Sequence, residues 1–273
     1  MTLNNPLQKY FRQPKIYISL PSKGLYYPPG ALKGDYNNMP IFAMTGIDEI
    51  MMKTPDALFN GESTVSVIES CCPYITDAGA MPSIDVDAVL AAIRIATFGE
   101  DMNIRHICVH CSTENDFDIK LIELIDFYNT VKFNNKVQVG ELGITIRPLR
   151  YRELTAFNIE NFKLRKTLQQ IGKIEDPDEK MVENVFTQIA DIQSSVLLNS
   201  IESVQAPDVI VNDPNFIAEW VANSERDLYE SIKTALEKNK DTWTMNKKKG
   251  ICSECHGENE FEVVLDQSNF FVQ

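Results

Sequence analysis

Long apolar runs are missing from this chain. No stretch approaches the roughly 20 consecutive apolar residues that a membrane-spanning helix needs. The opening MTLNNPLQKYFRQPKIYISLPSKG has no apolar core of the kind a secretory signal carries. Work in a cytoplasm, or in something assembled there, is the expectation. Basic residues are scarce: 26 Lys and Arg stand against 39 Asp and Glu, a formal net charge of −13. Phosphate backbones are bound by clustered Lys and Arg, so the balance argues against general nucleic-acid binding. Histidine is nearly absent. His106, His110 and His256 are the only three, and each lies beside a cysteine pair, which leaves none for a Ser–His–Asp triad. There is no glycine-rich phosphate loop. Carboxylate pairs do not stand out from the acidic surface, and no enzyme is expected.

What is present suits a globular protein. The chain has 273 residues, 44% hydrophobic and 24% charged, enough for one large or two ordinary domains. Acid is concentrated late. Residues 172–245 hold 15 Asp or Glu and 6 Lys or Arg, a net of −9. That is a solvated helical surface or a face for a basic partner.

Residues 1–30 are rich in Pro, Tyr and turn formers and read as an extended arm. MPIFAMT at 39–45 suits a short strand. Helices are expected near 46–53, near 55–59, and from Ser63, as cap, to Cys71. The third places Val65, Ile68 and Cys72 on one face, with Cys71 and Cys72 as helix-end core. Asp85 or Asp87 caps a further helix carrying Val89, Leu90, Ile93 and Phe98, which Gly99 ends. Its Arg94 must snorkel or pair with a carboxylate. Alternation at 117–121 and across 136–146 predicts a strand and a β-hairpin turning at GELG. From Tyr151 to about 240 the pattern is mostly helical. Apolar steps of three and four run from Met181 to Ile201, Asp213-Pro214 opens another helix, and Ser224 caps the last, with Leu228, Ile232, Ala235 and Leu236 on its stripe.

The six cysteines carry the sharpest signal. With no secretory signal they do not suggest a disulfide scaffold. Four form two C-x-x-C pairs, Cys108 with Cys111 and Cys252 with Cys255. The second continues into His256, and C-x-x-C-H alone also fits a covalent haem or a redox dithiol. Yet ICVHCSTENDFDIKL (107–121) and ICSECHGENEFEVVL (251–265) share Ile, Cys, Cys, Glu, Asn, Phe and Leu at matched positions. Each is a cysteine pair, a turn and a strand-like alternation. Two such knuckles build a zinc ribbon, in which four thiolates close a tetrahedron around Zn²⁺. The gap of 140 residues between Cys111 and Cys252 is long for a ribbon, but loop entropy grows slowly with length. A haem leaves the first pair unexplained, and a thioredoxin-like dithiol expects a βαβ setting. Empty knuckles, separate sites or a histidine replacing one cysteine remain open.

ISLPSKGLYY (18–27), MTGIDEIMMKTPDALFNGESTVSVIESC (44–71) and DVDAVLAAIRIATFGEDM (85–102), followed by a knuckle with E-N-x-F, resemble a known family. It is the baseplate hub and hub-assembly protein family of T-even-like contractile-tailed bacteriophages. The resemblance is strongest over 16–150. It implies a structural or assembly role among other baseplate or hub proteins, as a component of the tail or as a chaperone absent from the finished particle. It also implies that 18–27 is a docking arm, with Leu20, Pro21, Ser22, Lys23, Gly24 and Tyr26 as partner contacts; an arm folded back on its own domain is the other placement.

The expected fold is α+β. It comprises an arm (1–30), a mixed domain with the first knuckle and the hairpin (31–150), a helical domain (151–246), and a second knuckle with a C-terminal strand (247–273). A discontinuous four-cysteine, zinc-ribbon-like site would join the mixed and helical domains. The expected location is the host cytoplasm during assembly and, for a component, the virion tail. A zinc-ribbon nucleic-acid adaptor, with Lys247, Lys248 and Lys249 before the second knuckle, and a thiol oxidoreductase are the alternatives.

Overall fold

The computed structural model describes residues 5–53, 61–173, 178–245 and 247–263. The helix expected at 55–59 lies outside the described residues, and the segment 247–273 expected to hold the C-terminal strand is described only to residue 263.

β1 (Pro14–Ile18) and β2 (Met39–Phe42) pair antiparallel, with Ile18 opposite Met39 and Ile16 opposite Ile41. The strand expected at 39–45 is therefore present. α1 (Gly46–Met52) follows, opened by a capping box between Thr45 and Asp48. α2 (Glu62–Cys71) begins earlier than expected. Its cap is Gly61 and not Ser63, because the entry needs a φ of 75°, which glycine adopts without a Cβ clash. The helix is rotated accordingly: Ser63, Val67, Ile68 and Cys71 are buried, and Val65 only partly. Cys71 and Cys72 are fully buried, as expected of helix-end core. Burial pushes the two thiols up, Cys71 to about 11 and Cys72 to about 12.

α3 (Ser83–Phe98) is the central helix, buried without interruption over 88–95. Its Arg94 lies 5.1 Å over the Phe98 ring, and Gly99, at φ 97°, ends it. Pro82 occupies the cap, so neither aspartate performs the role expected of it. Asp85 instead points inward and is fully buried. It accepts hydrogen bonds from Ser22 N (2.6 Å), Ser22 Oγ (2.5 Å) and Tyr27 Oη (3.0 Å).

Those bonds correct the reading of 1–30 as an extended arm. Residues 14–18 are a paired strand, and Leu20, Pro21 and Ser22 are buried in their own domain. A buried carboxylate requires donors, and this loop supplies them. Of the six residues expected to meet a partner, Lys23 alone is exposed, Gly24 packs on Tyr36, and Tyr26 meets Phe133 edge-on at 5.7 Å.

β3 (Asp101–Ile107) and β4 (Glu114–Lys120) form a two-stranded hairpin that leads into α4 (Leu121–Thr130). Leu121, Leu124, Ile125 and Tyr128 line the buried face of α4 at helical spacing. These elements, together with Phe261 from far along the chain, share one core.

A second core begins at β5 (Lys136–Val139) and β6 (Leu142–Ile146), the expected hairpin, turning at Gly140 with φ 57°. The hairpin does not belong with the N-terminal domain. β7 (Ile201–Gln205) and β8 (Ile210–Val211) extend it into a four-stranded antiparallel sheet ordered β5-β6-β7-β8. Thus 151–240 is mostly helical, as expected, but includes two strands, and the boundary at 150 cuts across a sheet. The reason is burial: Ile201 and Val204 sit beside Ile146 and Ile144 and complete an apolar face that the hairpin alone leaves open. α7 (Pro214–Ala222), capped by Asp213 as expected, and α8 (Arg226–Trp243) cover that face through Ile217, Leu228 and Ile232. Ser224 does not cap α8; its hydroxyl donates back to Trp220 O at 2.6 Å.

α5 (Tyr151–Ile171) and α6 (Glu179–Ser200) pack along a separate seam of Leu164, Ile171, Val185 and Ile192. The chain then returns to the first core. Buried Asn239 exchanges hydrogen bonds with the backbone of Asn134 (2.8 and 2.9 Å), and Trp243 stacks on Tyr128 at 6.0 Å. Eight helices and four small antiparallel sheets make up the described residues, a mixed α and β architecture.

Burial raises Asp85 from 3.8 to about 6, against the opposing bonds from Ser22 and Tyr27. The folded state therefore holds this proton more tightly than the unfolded chain. Its stabilisation is complete below the unfolded value and is lost as pH rises through the folded one. Urea unfolding should lose on the order of 2–3 kcal/mol from this group between pH 4 and 7. Asp85→Asn should flatten that slope; an unchanged slope would contradict the assignment.

Candidate metal centre

The two cysteine pairs occupy the turns of two hairpins built alike. The first is β3–β4. The second is β9 (Lys248–Ile251) with β10 (Glu258–Phe261). The registers match: Ile107 faces Glu114 as Ile251 faces Glu258, and His106 faces Asn115 as Gly250 faces Asn259. The turns match bond for bond. Cys108 N donates to Thr113 O and Ser112 N to Cys108 O, both at 2.9 Å. Cys252 N donates to Gly257 O at 3.0 Å and His256 N to Cys252 O at 3.1 Å. Ser112 (φ 61°) and His256 (φ 55°) hold the same left-handed corner. His256 is therefore a turn residue, and neither cysteine pair opens a helix as a thioredoxin-like dithiol would.

Docking of the two hairpins brings all four Sγ atoms within 4.8 Å of one another. The shortest approaches are Cys111 to Cys252 at 3.6 Å and Cys108 to Cys255 at 3.7 Å. A disulfide needs about 2.05 Å. Four sulfurs each about 2.3 Å from a common ion stand about 3.8 Å apart, so the spacing is that of ligands around one centre. All six cysteines are free thiols. Among the described residues this is the one cluster of His, Cys, Asp or Glu with metal-ligand geometry, and no histidine joins it. The donor set fits a soft or borderline cation such as Zn²⁺ and supplies all four tetrahedral positions.

The electrostatics favour a cation. Burial would raise Cys108, but N–H groups of His110 and Cys111 and the Asn259 amide together bring it down to about 6. Backbone N–H groups of Cys255 and Glu254 and the Asn115 amide likewise lower Cys252. The Gly257 N–H lowers Cys255, yet contacts with Cys111, Cys108 and Cys252 and its burial outweigh that and raise it to about 12. Four neighbouring thiols cannot all ionise without a positive charge among them.

Side chains outside the turns hold the hairpins together. Phe117 and Phe261 stack at 4.8 Å with 9° between their planes, and His106 leans on Phe261 at 5.7 Å. Gly250 permits this, since a Cβ there would lie 2.4 Å from the Phe117 ring. Lys247, Lys248 and Lys249, the basic run before the second knuckle, are paired with Glu262 (3.7 Å), Glu123 (2.5 Å) and Glu258 respectively. Asn115 and Asn259 are the site residues that sequence reasoning passed over. Their signal was available, because asparagine is one of the identical residues of the repeat.

The shared geometry spans a stretch with a known counterpart. The model of the T4 bacteriophage base plate protein family matches residues 42–272, and the chain belongs to that family. The match takes in both hairpins. No curated protein and no solved structure matches the chain. Among the described residues no helix is long and apolar enough to cross a membrane.

Gly250→Ala should force the Phe117 ring aside and destabilise the folded protein by about 1–3 kcal/mol, the usual range for overpacking. Chemical denaturation read by intrinsic fluorescence measures this. Wild-type stability in the variant would mean that the hairpins do not dock through this contact.

Proposed function

We propose that the protein is a structural or assembly protein of a phage tail baseplate hub and acts through contacts with other baseplate proteins. The observation that carries this reading is the family match over residues 42–272. The hub is the finer part of the proposal, supported by the ISLPSKGLYY and E-N-x-F strings that resemble hub and hub-assembly proteins. On this reading the chain works without catalysis, first in the host cytoplasm and then in the virion tail. Exposed apolar residues such as Phe186 and Phe216 offer contact points on the helical part. Mass spectrometry of purified particles should find the chain at a fixed ratio to other tail proteins. Its presence in infected-cell extracts and absence from particles would make it an assembly chaperone instead.

Cys108, Cys111, Cys252 and Cys255 would hold one structural Zn²⁺. Such an ion would cross-link the two hairpins, and four protein ligands would leave no open position for a reacting water. The chain's own contribution is to bring both hairpins together and shield two of the thiolates. Elemental analysis of freshly purified, reduced protein should give about one zinc per chain. Chelation should lower its thermal unfolding midpoint, and Cys252→Ser should abolish that sensitivity to chelator. A zinc-free wild-type protein would sink this part of the proposal.

A further inference from the structure

The repeat shared by the two hairpins keeps cysteines that face one another and phenylalanines that stack. Its asparagines have a separate task. Asn115 is 6% exposed and Asn259 is 1% exposed. A buried primary amide must satisfy two N–H groups and a carbonyl oxygen. Each amide does so largely in the opposite hairpin. Asn115 Oδ1 accepts from Ser253 N (2.8 Å) and Ser253 Oγ (3.0 Å). Asn115 Nδ2 donates to Thr113 O (3.0 Å) and to Cys252 Sγ (3.4 Å). Asn259 mirrors this: Oδ1 accepts from Val109 N (3.0 Å), and Nδ2 donates to Gly257 O (3.0 Å) and Cys108 Sγ (3.5 Å). The network fixes the amide orientation, since a backbone N–H faces one end and a carbonyl oxygen the other. The N–H on each sulfur is therefore not interchangeable with the oxygen.

The choice of sulfurs is selective. Cys108 and Cys252 are buried, whereas Cys111 and Cys255 are exposed and can be solvated. The amides reach the two thiolates that water does not. We infer that Asn115 and Asn259 are reciprocal positioning residues of the metal centre. Each completes the half-site of the hairpin to which it does not belong, so the ion is bound once, by two docked hairpins, and poorly by either alone. This inference rests on the zinc reading above. Groups that orient a metal ligand from behind it are typically worth 10–100-fold in affinity.

The test uses the full chain. Asn115→Asp and Asn259→Asp retain the shape and the oxygen that accepts from the backbone, but a carboxylate oxygen replaces the amide nitrogen that donates to the sulfur and to the Thr113 or Gly257 carbonyl. Zinc affinity is read by competition with a chromophoric chelator, and site geometry by the absorption of bound Co²⁺. Each variant should bind zinc about 10–100-fold more weakly, with a shifted Co²⁺ spectrum. Both variants within twofold of wild type, at one zinc per chain, would overturn the positioning role and leave the zinc site standing. Wild-type protein that takes up no zinc would overturn both. Should an aspartate variant fail to fold by circular dichroism, Asn115→Ser and Asn259→Ser, whose hydroxyls are too short to reach the sulfurs, face the same limits.

Discussion

Placing Cys108 and Cys111 against Cys252 and Cys255 joins points of the chain that lie 140 residues apart, and the architecture is arranged around that closure. Bringing the ends of so long a segment together costs about 4–5 kcal/mol in chain entropy. The Phe117–Phe261 stack, the crossed asparagines and the exclusion of water from two thiols offset it without metal; a bound ion would add to them. The second core and the α5–α6 seam lie between the knuckles; the chain touches the first core again at Tyr151, whose N–H donates to Met81 O, and at Trp243, which stacks on Tyr128.

The same logic explains where the backbone is strained. Lys23, Tyr26, Ser112 and His256 are the non-glycine residues with positive φ among those described. Such corners cost about 1–2 kcal/mol each. Two lie in the loop pinned by Asp85 and two in the cysteine turns, so each lies where a remote partner holds the chain in place. At these places specific contacts, and not local preference, decide the conformation.

Much of this was legible in the sequence because it is local. Repetition alone paired the two knuckles, alternation located the β5–β6 hairpin, and Asp213-Pro214 marked the start of α7. What was hidden depends on contacts distant along the chain. Ile201 continues the apolar steps of α6 and so reads as helix; only the open face of Ile144 and Ile146 makes it a strand. Asp85 resembles a cap until Ser22 is placed above it. Leu20, Pro21 and Ser22 look like a free arm for the same reason. Asn115 and Asn259 were visible as identities, but their meaning required the two hairpins to face each other.

The separation of the knuckles also sets an order in time. A ribosome adds about 5–20 residues per second. The stretch between Cys111 and Cys252 therefore takes on the order of ten seconds to emerge. Through that interval the first turn carries two thiols, an Asn115 amide without its partners at Cys252 and Ser253, and the bare face of Phe117. A nascent chain halted anywhere before the second hairpin shows that face permanently. Closure of the four-cysteine cluster therefore waits until translation has run past residue 255.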